Sequence, residues 1–142
     1  MGNGCQQEMP KVLNKYKASA VEIAGAISVM RPSIWGNPYS HQPYTRAAHR
    51  VRSRAEAVIA HRLWFLTSDD AQAVELRRLA RLPVEQGGLR GADVFCCCAP
   101  LPCHGDVLIE YANAPNEDGC RVCLPEEPCR HLEALRKANE ID

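Results

Sequence analysis

The stretch Asp93-Val94-Phe95-Cys96-Cys97-Cys98 constrains this chain more than any other. It is a short apolar run bounded by Gly91 and Pro100, the pattern of a buried strand. Ala99-Pro100-Leu101-Pro102-Cys103-His104 follows, a loop stiffened by two prolines. Residues 105–111 then read as a helix, with Gly105 opening it and Asp106 in the first turn, where the helix dipole favours an acid. A buried strand that passes through a tight loop into a helix belongs to an α/β fold. In such sheets, sites lie beyond the carboxyl ends of the strands.

Upstream, Val21-Glu22-Ile23 and residues 26–30 read as strand material, with Gly25 as a bulge or turn between them. Arg31-Pro32-Ser33-Ile34-Trp35-Gly36-Asn37-Pro38 is a proline-fixed loop that continues to Val51. Ser53-Arg54-Ala55-Glu56 has the form of a capping box, and Val58, Ile59, Leu63 and Leu66 recur at helical spacing, which predicts a helix over 54–66. Acids at 69 and 70 precede a second helix ending near Arg81, before Pro83 and Gly87-Gly88. The fold class expected is a small single α/β domain, a short mainly parallel sheet flanked by helices. Residues 1–17 are expected as a poorly ordered lead-in, 18–115 as the domain, and 116–142 as a Cys/His-rich tail with a last helix over 132–139.

The chain has 142 residues, enough for one domain with its own core. Its 17 basic and 17 acidic residues balance, so the overall field gives no strong non-specific pull toward nucleic acid. A local exception is Arg46 to Arg54, where Arg46, Arg50, Arg52, Arg54 and His49 occur without an acid. That run is a solvated loop or a phosphate-facing patch. Apolar stretches fall short of a membrane span and the start lacks a signal-peptide pattern, so an intracellular, cytoplasmic protein without membrane contact is expected. Eight cysteines in that setting point to thiol chemistry or metal ligation rather than to disulfides.

Pro32-Ser33-Ile34-Trp35-Gly36-Asn37-Pro38, Arg54-Ala55-Glu56-Ala57, Leu89-Arg90-Gly91-Ala92-Asp93 and Cys98-Ala99-Pro100-Leu101-Pro102-Cys103-His104-Gly105-Asp106 together resemble a small domain family of phages and bacteria, domain of unknown function 4326. The resemblance spans about residues 26–113. It implies a compact intracellular α/β domain, often of phage origin, and brings no activity with it. Members usually carry Cys-Trp-Cys where this chain has Cys96-Cys97-Cys98, so Cys97 is the thiol least expected to be required.

Three readings of the cysteine loop stay open. Cys103 is a nucleophile with His104 as acid–base partner and Asp106 orienting it; or Cys96, Cys98, Cys103 and His104 hold a metal; or these are small buried groups. On the first reading Arg31, Ser33, Trp35, Asn37, Cys98 and Gly105 contact a substrate. The tail offers Cys120, Cys123, Cys129 and His131, whose C-x2-C half suits zinc. Two functions follow as expectations. One is a protein that binds or processes a nucleotide, nucleoside or modified base between the two loops. The other is a zinc-stabilised binding module for a host protein or for nucleic acid.

Overall fold

A computed structural model describes residues 9–42, 49–99, 101, 103–116 and 123–127. Three short strands, β1 (Val12–Asn14), β2 (Ile27–Ser28) and β5 (Val94–Cys96), form a parallel sheet in the order β1-β5-β2. Val94 faces Val12 on one side and Ile27 on the other, so the cysteine-bearing strand is the middle one. Val94 and Cys96 are buried and Phe95 between them is half-buried, the alternation a central strand imposes. A second parallel pair, β3 (Tyr39–Ser40) and β4 (His49–Arg50), lies within the stretch expected to be loop.

The helices are α1 (Ala20–Ala24), α2 (Arg54–Thr67), α3 (Ala71–Ala80) and α4 (His104–Ala112), with a 3₁₀ turn over Val84–Gln86. Their starts follow from side-chain caps. Ser53 Oγ accepts the Glu56 N–H at 3.1 Å, and Asp70 Oδ1 accepts the Ala73 N–H at 2.8 Å. Arg77 ties the two longest helices together, donating to the carbonyls of Phe65 and Ser68, each at 2.8 Å. Phe65, Leu89, Leu108, Val29 and Val94 are fully buried where sheet and helices meet. The small parallel α/β architecture is therefore as expected.

Besides the β3–β4 pair, two further segments differ from the sequence reading. Val21-Glu22-Ile23 is helical, not extended. Ser19 and Glu22 close a full capping box, Glu22 N–H to Ser19 Oγ at 3.1 Å and Ser19 N–H to Glu22 Oε1 at 2.9 Å, and that local bond pair outweighs the β propensity of Val21 and Ile23. Residues 12–14, placed in the lead-in by their sequence, form β1. Their order comes from β5: Lys15 N–H donates to the Cys96 carbonyl at 2.8 Å, Val94 N–H to the Lys11 carbonyl at 3.1 Å, and Asp93 Oδ1 accepts the Lys11 N–H at 2.9 Å. The expected helix over 132–139 lies outside the described residues.

Candidate functional site

Because β2 and β5 are parallel neighbours, their carboxyl ends open on the same side. The loop after β2 and the loop after β5 flank one cleft of about 410 Å³. Arg31 and Asn37 line it from the first loop, Cys98 and Leu101 from the second, and Arg54 from the first turn of α2. Cys96 and Cys103, each 2% exposed, form part of its wall. Behind it, Asn14 at the end of β1 holds the cysteine loop, donating to the Ala99 carbonyl at 2.6 Å.

Cys103 is the N-cap of α4. Its N–H donates to Asp106 Oδ2 at 3.0 Å, and its thiol sulfur accepts the Gly105 N–H at 3.3 Å. The partner of that thiol is Cys96, Sγ to Sγ 3.3 Å. His104 turns to a different neighbour: Nε2 lies 2.7 Å from the Val29 carbonyl, and its ring meets His61 edge-on at 5.1 Å. Thus the side chains of Cys103, His104 and Asp106 are not hydrogen-bonded to one another. Asp106 caps the helix, His104 braces β2 against α4, and Cys103 belongs to a dithiol.

The electrostatics follow from these contacts. The thiol–thiol hydrogen bond with Cys103 pulls the Cys96 pKa down to about 6 despite burial. The same bond, followed by burial, pushes Cys103 up, so the proton of the pair resides on Cys103. Burial raises Cys98, with Arg54 opposing. Burial lowers His104, against backbone hydrogen bonds to Val29 and Trp35, which favours a neutral imidazole. His61, 1% exposed and stacked on Phe65 at 5.6 Å, is lowered to about 3 by burial and then by His104.

Of the residues expected to contact substrate, Arg31, Asn37 and Cys98 line the cleft, as do Cys103 and His104. The others have packing roles. Trp35 is 4% exposed and part of the core. Ser33 donates to the Ser28 carbonyl at 2.8 Å and accepts the Trp35 N–H, which fixes the loop. Gly105 is buried, and a Cβ there would sit 3.3 Å from Val12 and from Cys103 Sγ, so its smallness lets α4 approach β1. Asn37 also braces the fold: its Nδ2 donates to the Ala57 carbonyl at 3.1 Å, and its own carbonyl accepts from Arg31 at 2.8 Å.

The Leu89-Arg90-Gly91-Ala92-Asp93 motif is structural. Buried Arg90 donates to the carbonyls of Ala112 and Ala114 at 2.8 and 3.0 Å and to that of Cys123. It thereby closes the carboxyl end of α4 and holds the start of the tail. Gly91, at φ 81°, turns the chain so that its N–H reaches Asn113 Oδ1 at 2.8 Å. Of the expected zinc ligands, Cys123 is buried; Cys120, Cys129 and His131 lie outside the described residues. Among the described residues no three His, Cys, Asp or Glu side chains are grouped to hold a metal. Nor is any described helix long and apolar enough to cross a membrane.

His61 was legible only in part: Ala57, His61 and Phe65 share one face at four-residue spacing and are all buried, but nothing local marks the middle one as a histidine's partner. The hold of Asn14 on the cysteine loop carried no local signal, because the carbonyls that its Nδ2 reaches are more than eighty residues away.

Fold and site define a small parallel α/β domain with a thiol- and arginine-lined cleft at the carboxyl edge of its sheet. The chain belongs to the family described as Domain of unknown function (DUF4326), whose model matches residues 12–114 and so takes in β1 as well as α4. It is 26% identical over 112 residues to a protein of Enterobacteria phage T4 named "Uncharacterized 12.4 kDa protein in nrdA-td intergenic region", covering 79% of this chain and 85% of the phage protein. No solved structure matches the chain.

Proposed function

We propose that the protein binds a nucleotide-like anion in the cleft between the two loops. The observation that carries this reading is the pair of arginines, Arg31 from the loop after β2 and Arg54 from the first turn of α2, on one cavity at the carboxyl edge of a parallel sheet. Guanidinium forks match phosphate oxygens, and such edges are where α/β sheets take their ligands. A volume of about 410 Å³ suits a nucleoside phosphate. Tyr39, which lines the cleft and stacks on His49 at 5.0 Å and 29°, offers an aromatic wall for a base. Thermal-shift and calorimetric titration of nucleosides and their mono- and triphosphates test the reading. Phosphorylated members are expected to bind and free nucleosides to bind weakly. Arg31→Ala and Arg54→Ala are each expected to weaken binding about tenfold or more. A folded protein indifferent to every nucleotide overturns it.

A second reading concerns the tail, where Cys120, Cys123, Cys129 and His131 would hold zinc and present a surface to a host protein. It is favoured by the anchoring of residues 123–127: Arg90 holds the Cys123 carbonyl, and Asn116 Nδ2 donates to the Glu127 carbonyl at 3.0 Å, which ties that stretch to the chain leaving α4. Metal analysis of protein purified without chelator tests it, with zinc expected and lost in Cys120→Ser. A metal-free protein whose melting temperature ignores chelator overturns it.

A further inference from the structure

We propose that Cys96 and Cys103 are a redox-active dithiol that reduces a small hydroperoxide admitted through the cleft, forming a Cys96–Cys103 disulfide. This goes beyond ligand binding and does not depend on it.

The geometry is that of a pair set to close. The two sulfurs, one on the central strand and the other at the N-cap of α4, are 3.3 Å apart, and a disulfide needs about 2.05 Å, a movement of little more than 1 Å. Neither thiol has another cysteine as near in the described hydrogen-bond network, and both border the cleft. At 2% exposure each, they admit an oxidant the size of hydrogen peroxide rather than a bulky disulfide. The bonds around them divide the work. The Cys98 N–H lies 3.4 Å from the Cys96 sulfur and the Gly105 N–H lies 3.3 Å from the Cys103 sulfur, and the thiol–thiol bond between them lowers Cys96 and raises Cys103, so charge gathers on Cys96. Cys103 keeps its proton until the second step.

The Cys96 thiolate attacks one peroxide oxygen; the O–O bond breaks, Cys96 becomes a sulfenic acid and hydroxide leaves. Cys103 sulfur then attacks the Cys96 sulfur, the S–O bond breaks and water leaves with the Cys103 proton. The proton earlier lost from Cys96 neutralises the hydroxide. Two thiols and one peroxide give one disulfide and two waters, and an external dithiol small enough to enter the cleft returns the pair to the reduced form.

The test is peroxide titration of the full chain, quenched by thiol alkylation in denaturant and read by peptide mass spectrometry. The expected result is a Cys96–Cys103 cross-linked peptide with a loss of about 2 Da, reversed by dithiothreitol. In Cys103→Ser, a dimedone adduct is expected to accumulate on Cys96; Cys97→Ser is expected to cross-link like the wild type. The proposal is overturned if folded wild-type protein at one equivalent of peroxide leaves Cys96 and Cys103 alkylated, or if Cys96 is recovered joined to Cys98. The wild-type measurement decides the matter alone should either variant fail to fold.

Discussion

Replacing His61 with leucine should flatten the acid side of the stability curve. His61 lies between Phe65 and His104, 1% exposed, and its Nδ1 finds no hydrogen-bond partner among the described residues. Burial depresses its pKa from 6.5 to about 3. Between those values the unfolded chain binds a proton that the folded one refuses, so stability falls as pH drops below 6.5 and the loss is complete near 3. From pH 7 to pH 5 the cost at this one site is about 2 kcal/mol. Two other groups act in the same direction. His104 is also depressed, and Cys96, lowered to about 6 from 9.0, loses its stabilising thiolate as pH falls through 6. Most of both contributions remains in His61→Leu and cancels in the comparison. Urea unfolding of both proteins at pH 7 and pH 5 provides the measurement. The wild type should lose about 2 kcal/mol more than the variant over that interval. At pH 7 the two should be close, since leucine forfeits ring stacking but also removes a buried unpaired nitrogen. Equal losses, or a His61 ring that titrates near 6.5 by NMR, would refute the reasoning.

Other substitutions test the frame around the cleft. Gly88→Ala should destabilise on the order of 3 kcal/mol or prevent folding, because its Cβ would overlap the Leu82 carbonyl oxygen; a normal melting curve would show that the 3₁₀ turn can move. Arg90→Ala removes charge-assisted bonds to three carbonyls and should cost about 3–5 kcal/mol in urea, with proteolysis quickening first after residue 112, where α4 ends. Asn37→Ala breaks the bond from the tryptophan loop to Ala57; the expected loss is about 1–2 kcal/mol in urea unfolding, and an unchanged midpoint would show that the loop is held without it.

How far the chain was readable depended on whether the deciding contact was local. The α2 and α3 starts were legible because Ser53 and Asp70 cap within three residues. The same kind of signal at Ser19 and Glu22 was present, but it sat beside Val21 and Ile23, whose β preference argued the other way. β1 was illegible: three residues gain nothing alone, and their hydrogen bonds come from a strand about eighty residues on. Within the site, the two loops could be placed on one crevice from order alone, since parallel neighbouring strands share a carboxyl edge. The partners inside it could not. Adjacent residues on a helix start point to different neighbours, so Cys103 meets Cys96 while His104 meets Val29 and His61.

By itself, then, the sequence determined the class of fold, the central buried strand, three of the helices and the stretch of chain that lines the cleft. Each of these rests on periodicity, capping or proline and glycine punctuation, forces that act over a few residues. The tertiary structure alone decided that Trp35 is core and that Arg90 is a clamp for the end of α4. It decided the pairing of Cys96 with Cys103 as well, and with it which sulfur carries charge. A thiol's partner, and hence its proton, is set by what packing brings within a few ångströms, and no local pattern encodes that distance.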